Sequence, residues 1–242
     1  MTVFIDRSNV NGADNYAAAP VTHLYLKVSE GTTFVDSTYQ QRRQQGRAAG
    51  AKVGGYHFAG HNNAATEADF FLSKIGDVKP GDLRPCLDLE SGQSKEWAEE
   101  FVKRVKDRLG YWPVLYGSTS FIQPMRNASR TLRRCPWWRA EFSVNDGNHH
   151  ELQGGTLGAA AHQYTSNASV QGIAGRTDRS VLIDEAAMLV PSARRPRPYA
   201  VYKDGDHKRN YRRYRLGAIP WALRNRPKQP GHTIQIRHRK EP

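Results

Sequence analysis

Cysteine is scarce in this chain of 242 residues, which holds only Cys86 and Cys135. Two cysteines do not make a disulfide framework, and the apolar run around Cys86 reads as the setting of a buried thiol. No Cys/His spacing fits a zinc site, so neither a metal nor a cofactor is expected. Long apolar runs are missing as well: none approaches the ~20 residues that span a bilayer. The opening MTVFIDRSN has no basic stretch leading into an apolar segment, so no secretory leader is expected. Apolar material for a core is nonetheless ample, with 38% hydrophobic residues, five Trp and eleven Tyr.

Most of the chain also lacks any excess of charge. Residues 1–191 carry 21 Lys and Arg against 20 Asp and Glu, whereas residues 192–242 carry 15 against 3. The formal charge of +13 therefore belongs almost wholly to the tail. This divides the chain into a main body, 1–191, and a small basic extension, 192–242. Within the extension, PYAVYKDGDHKRNYRRYRL suits a hairpin turning near residues 204–206, and HTIQIRHR suits another strand. A flexible basic tail is the competing reading. Arg212, Arg213 and Arg215, interleaved with Tyr211 and Tyr214, form its densest cluster. An anionic cell-wall polymer or membrane surface fits that cluster, at ~1 kcal/mol per basic residue near a charged membrane. Nucleic acid, held by its phosphates and stacked on Tyr, is a less favoured partner.

In the main body, eight short runs rich in β-branched and aromatic residues recur: TVFID, HLYLKVS, AKVGGYHFA, RPCLDLE, WPVLYGS, PWWRAEF, AHQYTS and RSVLID. Helical patterns separate the earlier ones. Val35 to Ala49 is polar and helix-compatible, and Thr66 is placed to cap a helix ending at Ile75, with Asp69 three residues on. From Ser94 to Leu109, Trp97, Phe101, Val105 and Leu109 recur every four residues and Gly110 is placed to stop the helix. Ser118 to Arg134 is a weaker helical pattern, interrupted by Pro124. After Phe142 the chain is too polar and Gly-rich for helices. Strand–helix alternation predicts an α/β fold with a parallel sheet. Eight strands suggest closure into a TIM-like barrel of (β/α)5(β)3 type, whose chemistry sits at the strand ends.

Acids occupy those ends. Asp6 closes the first strand, and Asp88 and Glu90 close the fourth. Two residues apart on a strand, Asp88 and Glu90 project to one face. The preceding Pro85-Cys86-Leu87 looks buried, and a buried charge is costly unless used or paired. Such a cluster suits a hard metal ion, or acid catalysis in which burial and like charge hold a proton on one carboxyl. Aromatics near neighbouring strand ends (Tyr56, Phe58, Tyr116, Trp138 and Tyr164) together favour a sugar-binding groove, although each alone is better explained by core packing.

Taken in order, FIDRSN, YLKVSEG, GGYHFA, CLDLE, VLYGS, WWRAEF, HQYTS and GIAGRTDRSVL resemble glycoside hydrolase family 25, the lysozymes of bacterial peptidoglycan. The resemblance covers about the first 190 residues. It implies a modified β/α barrel whose last strands lack helices. It also implies cleavage of the β-1,4 bond from N-acetylmuramic acid to N-acetylglucosamine. Carried over by position, Glu90 is the catalytic acid, Asp88 its neighbour, and Asp6 and Asp178 the remaining active-site aspartates. Only the resemblance picks out Asp178, whose sequence context otherwise suggests a turn. Tyr56, Phe58, Tyr116, Trp138, Gln163 and Tyr164 are the expected substrate-binding set, with Phe142 standing where the family pattern WxAxY has Tyr. Lys27 and Glu30 match KVSEG. A chitinase-like glycosidase and a non-catalytic sugar- or nucleic-acid-binding protein are the alternatives. The absence of a leader, combined with a wall-degrading activity, suggests a bacteriophage endolysin held in the host cytoplasm until release, or a lysin carried in the virion.

Overall fold

A computed structural model describes residues 2–90, 92–152 and 154–192, together with strands at 199–203, 206–211 and 234–238. By contacts the chain divides into two compact units, residues 1–191 and 192–242. The first is a closed eight-stranded barrel. Strands β1 (Val3–Arg7), β2 (His23–Glu30), β4 (Lys52–Phe58), β5 (Cys86–Asp88), β6 (Val114–Ser118), β7 (Trp137–Ala140) and β8 (Ala161–Ala168) run parallel in that order. The last, β9 (Thr177–Leu182), runs antiparallel to both β8 and β1 and closes the ring. A hairpin connection from β8 reverses it, so the sheet is mixed where the sequence suggested a parallel one. A ninth strand, β3 (Phe34–Val35), folds back on the end of β2 and lies outside the eight.

Helices α1 (Tyr39–Ala48), α2 (Ala64–Lys74), α3 (Lys95–Leu109) and α4 (Thr119–Ala128) fill the crossovers from β2 to β7. The crossover from β1 to β2 contains only a single 3-10 turn, Tyr16–Ala18. Among the described residues, no helix joins β7 to β8 or β8 to β9, as the Gly-rich sequence there predicts. A short α5 (Glu185–Met188) follows β9.

The predicted limits of α3 hold: Ser94 Oγ accepts from Trp97 N, and Gly110 ends the helix with φ 86. Other limits shift. Asn63, not Thr66, caps α2, accepting from Thr66 N at 3.0 Å, and Asp69 pairs with Arg104 rather than completing a capping box. The residues from Val35 to Thr38 are not helical, because Asp36 accepts from both Thr38 N and Thr38 Oγ1 and forms a turn ahead of α1. Pro124 sits inside α4 without ending it; the helix stops at Ala128, and a 3-10 turn covers Leu132–Arg134.

Leu24, Leu26, Val53, Leu87 and Leu115 pack against Phe71, Phe101, Val102 and Val105 of the helices. Phe4, Tyr25, Cys86, Val114 and Trp138 form a second cluster. Gly54 is required where β4 crosses Tyr25, since a Cβ there would stand 2.5 Å from the ring. Both cysteines are buried and free.

In the second unit, β10 (Tyr199–Lys203) pairs antiparallel with β11 (Asp206–Tyr211) and with β12 (Ile234–His238). Arg212, Arg213 and Arg215 lie outside the described residues. Among the described residues, no helix is long and apolar enough to cross a membrane.

Candidate active site

The reversal of β9 decides where its acid falls. Asp178 is its second residue, at the end of β9 that meets the C-terminal rim of the parallel strands, and it sits in register opposite Asp6 of β1. Around the ring, Asp88 ends β5 and Glu90 lies two residues beyond the backbone of that strand. The four acids line one cavity of ≈ 350 Å³ with Lys27, Tyr56, Phe58, Tyr116, Trp138, Phe142, Gln163 and Ser166.

The acids differ in how deeply they are set. Asp88 is 8% exposed, and its Oδ1 has no hydrogen-bond partner among the described residues. Burial, and then the charges of Glu90 and Asp6, push its carboxyl well up. Asp6 is also pushed well up, by burial and by Asp178. A donor from Gln163, Nε2 to Oδ2 at 3.1 Å, and the nearby Arg7 guanidinium oppose that rise. Asp178 rises chiefly through burial. Two aspartates facing each other across adjacent strands cannot readily both be charged, so this pair favours holding a proton. Glu90 stands at the open side of the cavity. Partial desolvation raises its carboxyl, while Lys27 pulls in the other direction. Neutral carboxyls held near neutral pH are the requirement for general-acid chemistry.

The expected aromatics divide into three groups. Tyr56, Phe58 and Tyr116 line the cavity, and the Tyr116 hydroxyl donates to Gln163 Oε1 at 2.8 Å. Trp138 reaches the cavity wall but is 2% exposed, stacked on Tyr25 at 4.8 Å between centroids, with its indole N–H on Ser180 Oγ. It is primarily a core residue. Tyr164 does not line the cavity. Neighbouring Gln163 points inward, so Tyr164 points to the other face of β8, where it meets His149 and His162 edge-on. Lys27 joins the site from β2, bridged to Glu30 at 2.6 Å and lying 4.8 Å from the Phe58 ring centroid. Ser166 was not anticipated from sequence; three residues after Gln163 it is out of phase with strict alternation, and it reaches the cavity where β8 shifts register between Gln163 and Thr165 and again between Thr165 and Ala168.

Beneath the rim, His57 bridges Ser29 Oγ (2.9 Å) and Glu67 Oε2 (3.0 Å), with both His57 and Glu67 buried. Glu67 also accepts from Gly60 N and Asn62 N. Gln93 Nε2 donates to the carbonyls of Ala59 and Gly60. The loop after β4 is thus tied to the loop that carries Glu90. On the other side, Arg7 grips Asp14 through two hydrogen bonds, at 3.0 and 2.6 Å, and fixes the loop after Asp6. Among the described residues, no group of His, Cys, Asp and Glu has the arrangement of a metal site.

A family model described as glycosyl hydrolases family 25 matches residues 5–173. The autolytic lysozyme of Clostridium acetobutylicum is 31% identical over 160 residues, 64% of this chain and 47% of that protein. The lysozyme of Streptococcus phage Cp-9 is 28% identical over 178 residues, 68% of this chain and 51% of that protein. The chain thus spans about half the length of these relatives. The crystal structure of a bacterial lysozyme from Streptomyces coelicolor superposes with a TM-score of 0.67 at 25% identity, covering 78% of this chain and 94% of that one.

Proposed function

The chain belongs to glycosyl hydrolases family 25, and from that premise we propose that it is a muramidase. It would hydrolyse the β-1,4 bond between N-acetylmuramic acid and N-acetylglucosamine in bacterial peptidoglycan. The observation that carries this is the placement of Glu90 at the mouth of a cavity whose floor holds Asp88, Asp6 and Asp178. Glu90, raised by desolvation, gives its proton to the glycosidic oxygen. The unpartnered Oδ1 of Asp88 is suited to accept from the N–H of the 2-acetamido group and to orient that group at the sugar's C1. Asp6 and Asp178 set the charge of the floor and sense each other across β1 and β9. Tyr56 and Phe58 supply ring faces against which the sugar packs.

In this proposal the main body, 1–191, carries the catalysis. The basic extension, 192–242, holds the protein at an anionic wall polymer or membrane surface, a role that its charge of 15 basic against 3 acidic residues supports. Similarity to a phage lysozyme supports a part in lysis of a host cell.

Digestion of purified peptidoglycan, borohydride reduction and mass spectrometry of the products test the activity. Muramitol ends are expected, and Glu90→Gln should abolish them. Glucosaminitol ends would mean a different bond, and no cleavage across several wall chemotypes would favour a binding protein.

A further inference from the structure

A second cavity, of ≈ 590 Å³, adjoins the first and shares Glu90, Tyr116 and Phe142 with it. Its own walls are Ser118, Thr119 and Ser120, where β6 passes into α4, and Ala140 at the end of β7 with Glu141 just beyond it. Asp6, Asp88 and Asp178 all lie on the first side and none on the second. Glu90 therefore stands at the boundary. A general acid for glycoside hydrolysis must reach the bridging oxygen, which lies between the sugar attacked at C1 and the sugar that leaves. If the carboxylate-lined cavity holds the attacked sugar, as proposed above, the leaving sugar falls in the other.

The second cavity carries a built arrangement of polar groups. The hydrogen bonds described for the Glu141 side chain all fall on Oε2: one from Thr119 Oγ1, and two from Arg139, through Nε and Nη2. Arg139 is buried and is itself fixed by Nη1 on the Gly155 carbonyl at 2.8 Å and by Nε on Thr119 Oγ1 at 2.6 Å. The carboxylate is thus held in one orientation, and among the described residues its Oε1 has no hydrogen-bond partner. Burial alone would raise the Glu141 carboxyl, but the Thr119 and Arg139 donors outweigh it and keep the group ionised. Beside it, the Phe142 ring is 41% exposed, an apolar face of a size to cover a pyranose.

We propose that this second cavity is the leaving-side subsite, and that Glu141, oriented by Arg139 and Thr119, accepts a hydrogen bond from the leaving-side N-acetylhexosamine while Phe142 packs on its ring. The inference rests on the muramidase reading and adds to it the residues that select the leaving sugar. Neither Arg139 nor Glu141 is a fixed letter of the WxAxY pattern, so the device is a property of this chain's own residues.

Two probes separate the possibilities. One is a tetrasaccharide alternating N-acetylglucosamine and N-acetylmuramic acid. The other is a nitrophenyl glycoside with N-acetylmuramic acid at the attacked position, whose leaving group is no sugar. Glu141→Gln keeps an acceptor for Arg139, and Phe142→Ala leaves the Arg139 network untouched. Each is expected to lower kcat/KM on the tetrasaccharide by about tenfold more than on the nitrophenyl glycoside. Equal losses on both probes, or no loss on the tetrasaccharide, would overturn the subsite. Failure of the wild-type protein to cleave either probe would instead overturn the muramidase reading, and this inference with it.

Discussion

Gln163 donates from Nε2 to Asp6 Oδ2 at 3.1 Å while its Oε1 accepts from the Tyr116 hydroxyl, so one side chain of β8 ties β1 to β6 across the barrel mouth. Its role is thereby to position Asp6 and Tyr116 rather than simply to await substrate. Gln163→Met removes the donor that opposes the rise of the Asp6 carboxyl and leaves a half-buried hydroxyl unpaired. It should cost about 1–3 kcal/mol in stability, measured by urea unfolding, and lower kcat with it. Wild-type stability in this variant would show that the bridge has no structural weight.

Glu90 is exposed at the cavity mouth and makes no hydrogen bond within the described protein, so its removal should be felt in chemistry and not in folding. Glu90→Gln is expected to reduce turnover of peptidoglycan by about 10²–10⁴-fold, with an unchanged thermal midpoint. Turbidity clearance of cell walls and differential scanning calorimetry measure the two effects.

Asp88 is expected to be a liability to the fold as well as an asset to the reaction. Its carboxyl is raised by burial and by Glu90 and Asp6. Above the unfolded pKa of about 3.9 the native state therefore binds more protons than the unfolded one, and stability declines as pH rises toward the folded pKa. Asp88→Asn removes that decline. At neutral pH it should raise Tm, by roughly 2–4 °C for each kcal/mol gained in a chain of this size, while abolishing activity. Below pH 4 the two proteins should converge. A variant less stable than wild type at neutral pH would contradict the proposed strain.

Much of this site was legible from strand ends. Asp6, Asp88 and Glu90 follow from alternation and the buried Pro85-Cys86-Leu87, and α3 follows from Ser94, a four-residue apolar period and Gly110. Asp178 was not legible locally, because it lies at the start of a strand, and only the reversal of β9 brings that start to the same rim. Tyr164 shows the opposite failure. Gln163 and Tyr164 are sequence neighbours on one strand, so both cannot face the cavity, and alternation already argued against pairing them. Trp138 had the composition of a sugar platform, but its packing on Tyr25 and Phe4 decided its place. The α2 cap went to Asn63 over Thr66 because local side-chain hydrogen bonds within NNAAT compete over one turn.

The loop after β4 depends on one buried acid. Glu67 accepts from His57, Gly60 N and Asn62 N, and this network holds its carboxyl low despite burial. Glu67→Ala leaves three donors without their acceptor, the buried His57 and the half-buried or exposed N–H groups of Gly60 and Asn62, and should cost about 3–5 kcal/mol, chiefly through the buried His57. Because the carboxyl is lowered, its stabilising effect is present above the unfolded pKa and is lost as pH falls through the folded value. The difference between wild type and Glu67→Ala should shrink in acid, as urea unfolding at a series of pH values would record. A constant difference would mean that packing, not the charge, is what Glu67 contributes.

Lys27 lines the cavity beside Glu90 and Asp88, and in the proposed mechanism its effect on the pH profile has a definite sign. It lies in the cavity with Glu90 and Asp88 and lowers both carboxyls against the rise caused by burial. In the proposed mechanism Glu90 acts in its protonated form, so kcat/KM is expected to fall as pH climbs through its pKa. Lys27→Met removes the lowering influence, keeps a side chain of similar length against Phe34 and Phe58, and leaves the half-exposed Glu30 without its partner. The alkaline limb of kcat/KM should then move to higher pH, and the shift should be larger at low ionic strength, where the charge is less screened. A limb that stays in place would assign the alkaline ionisation to a group other than Glu90. A limb that moves down would contradict a lowering influence of Lys27 on the acid.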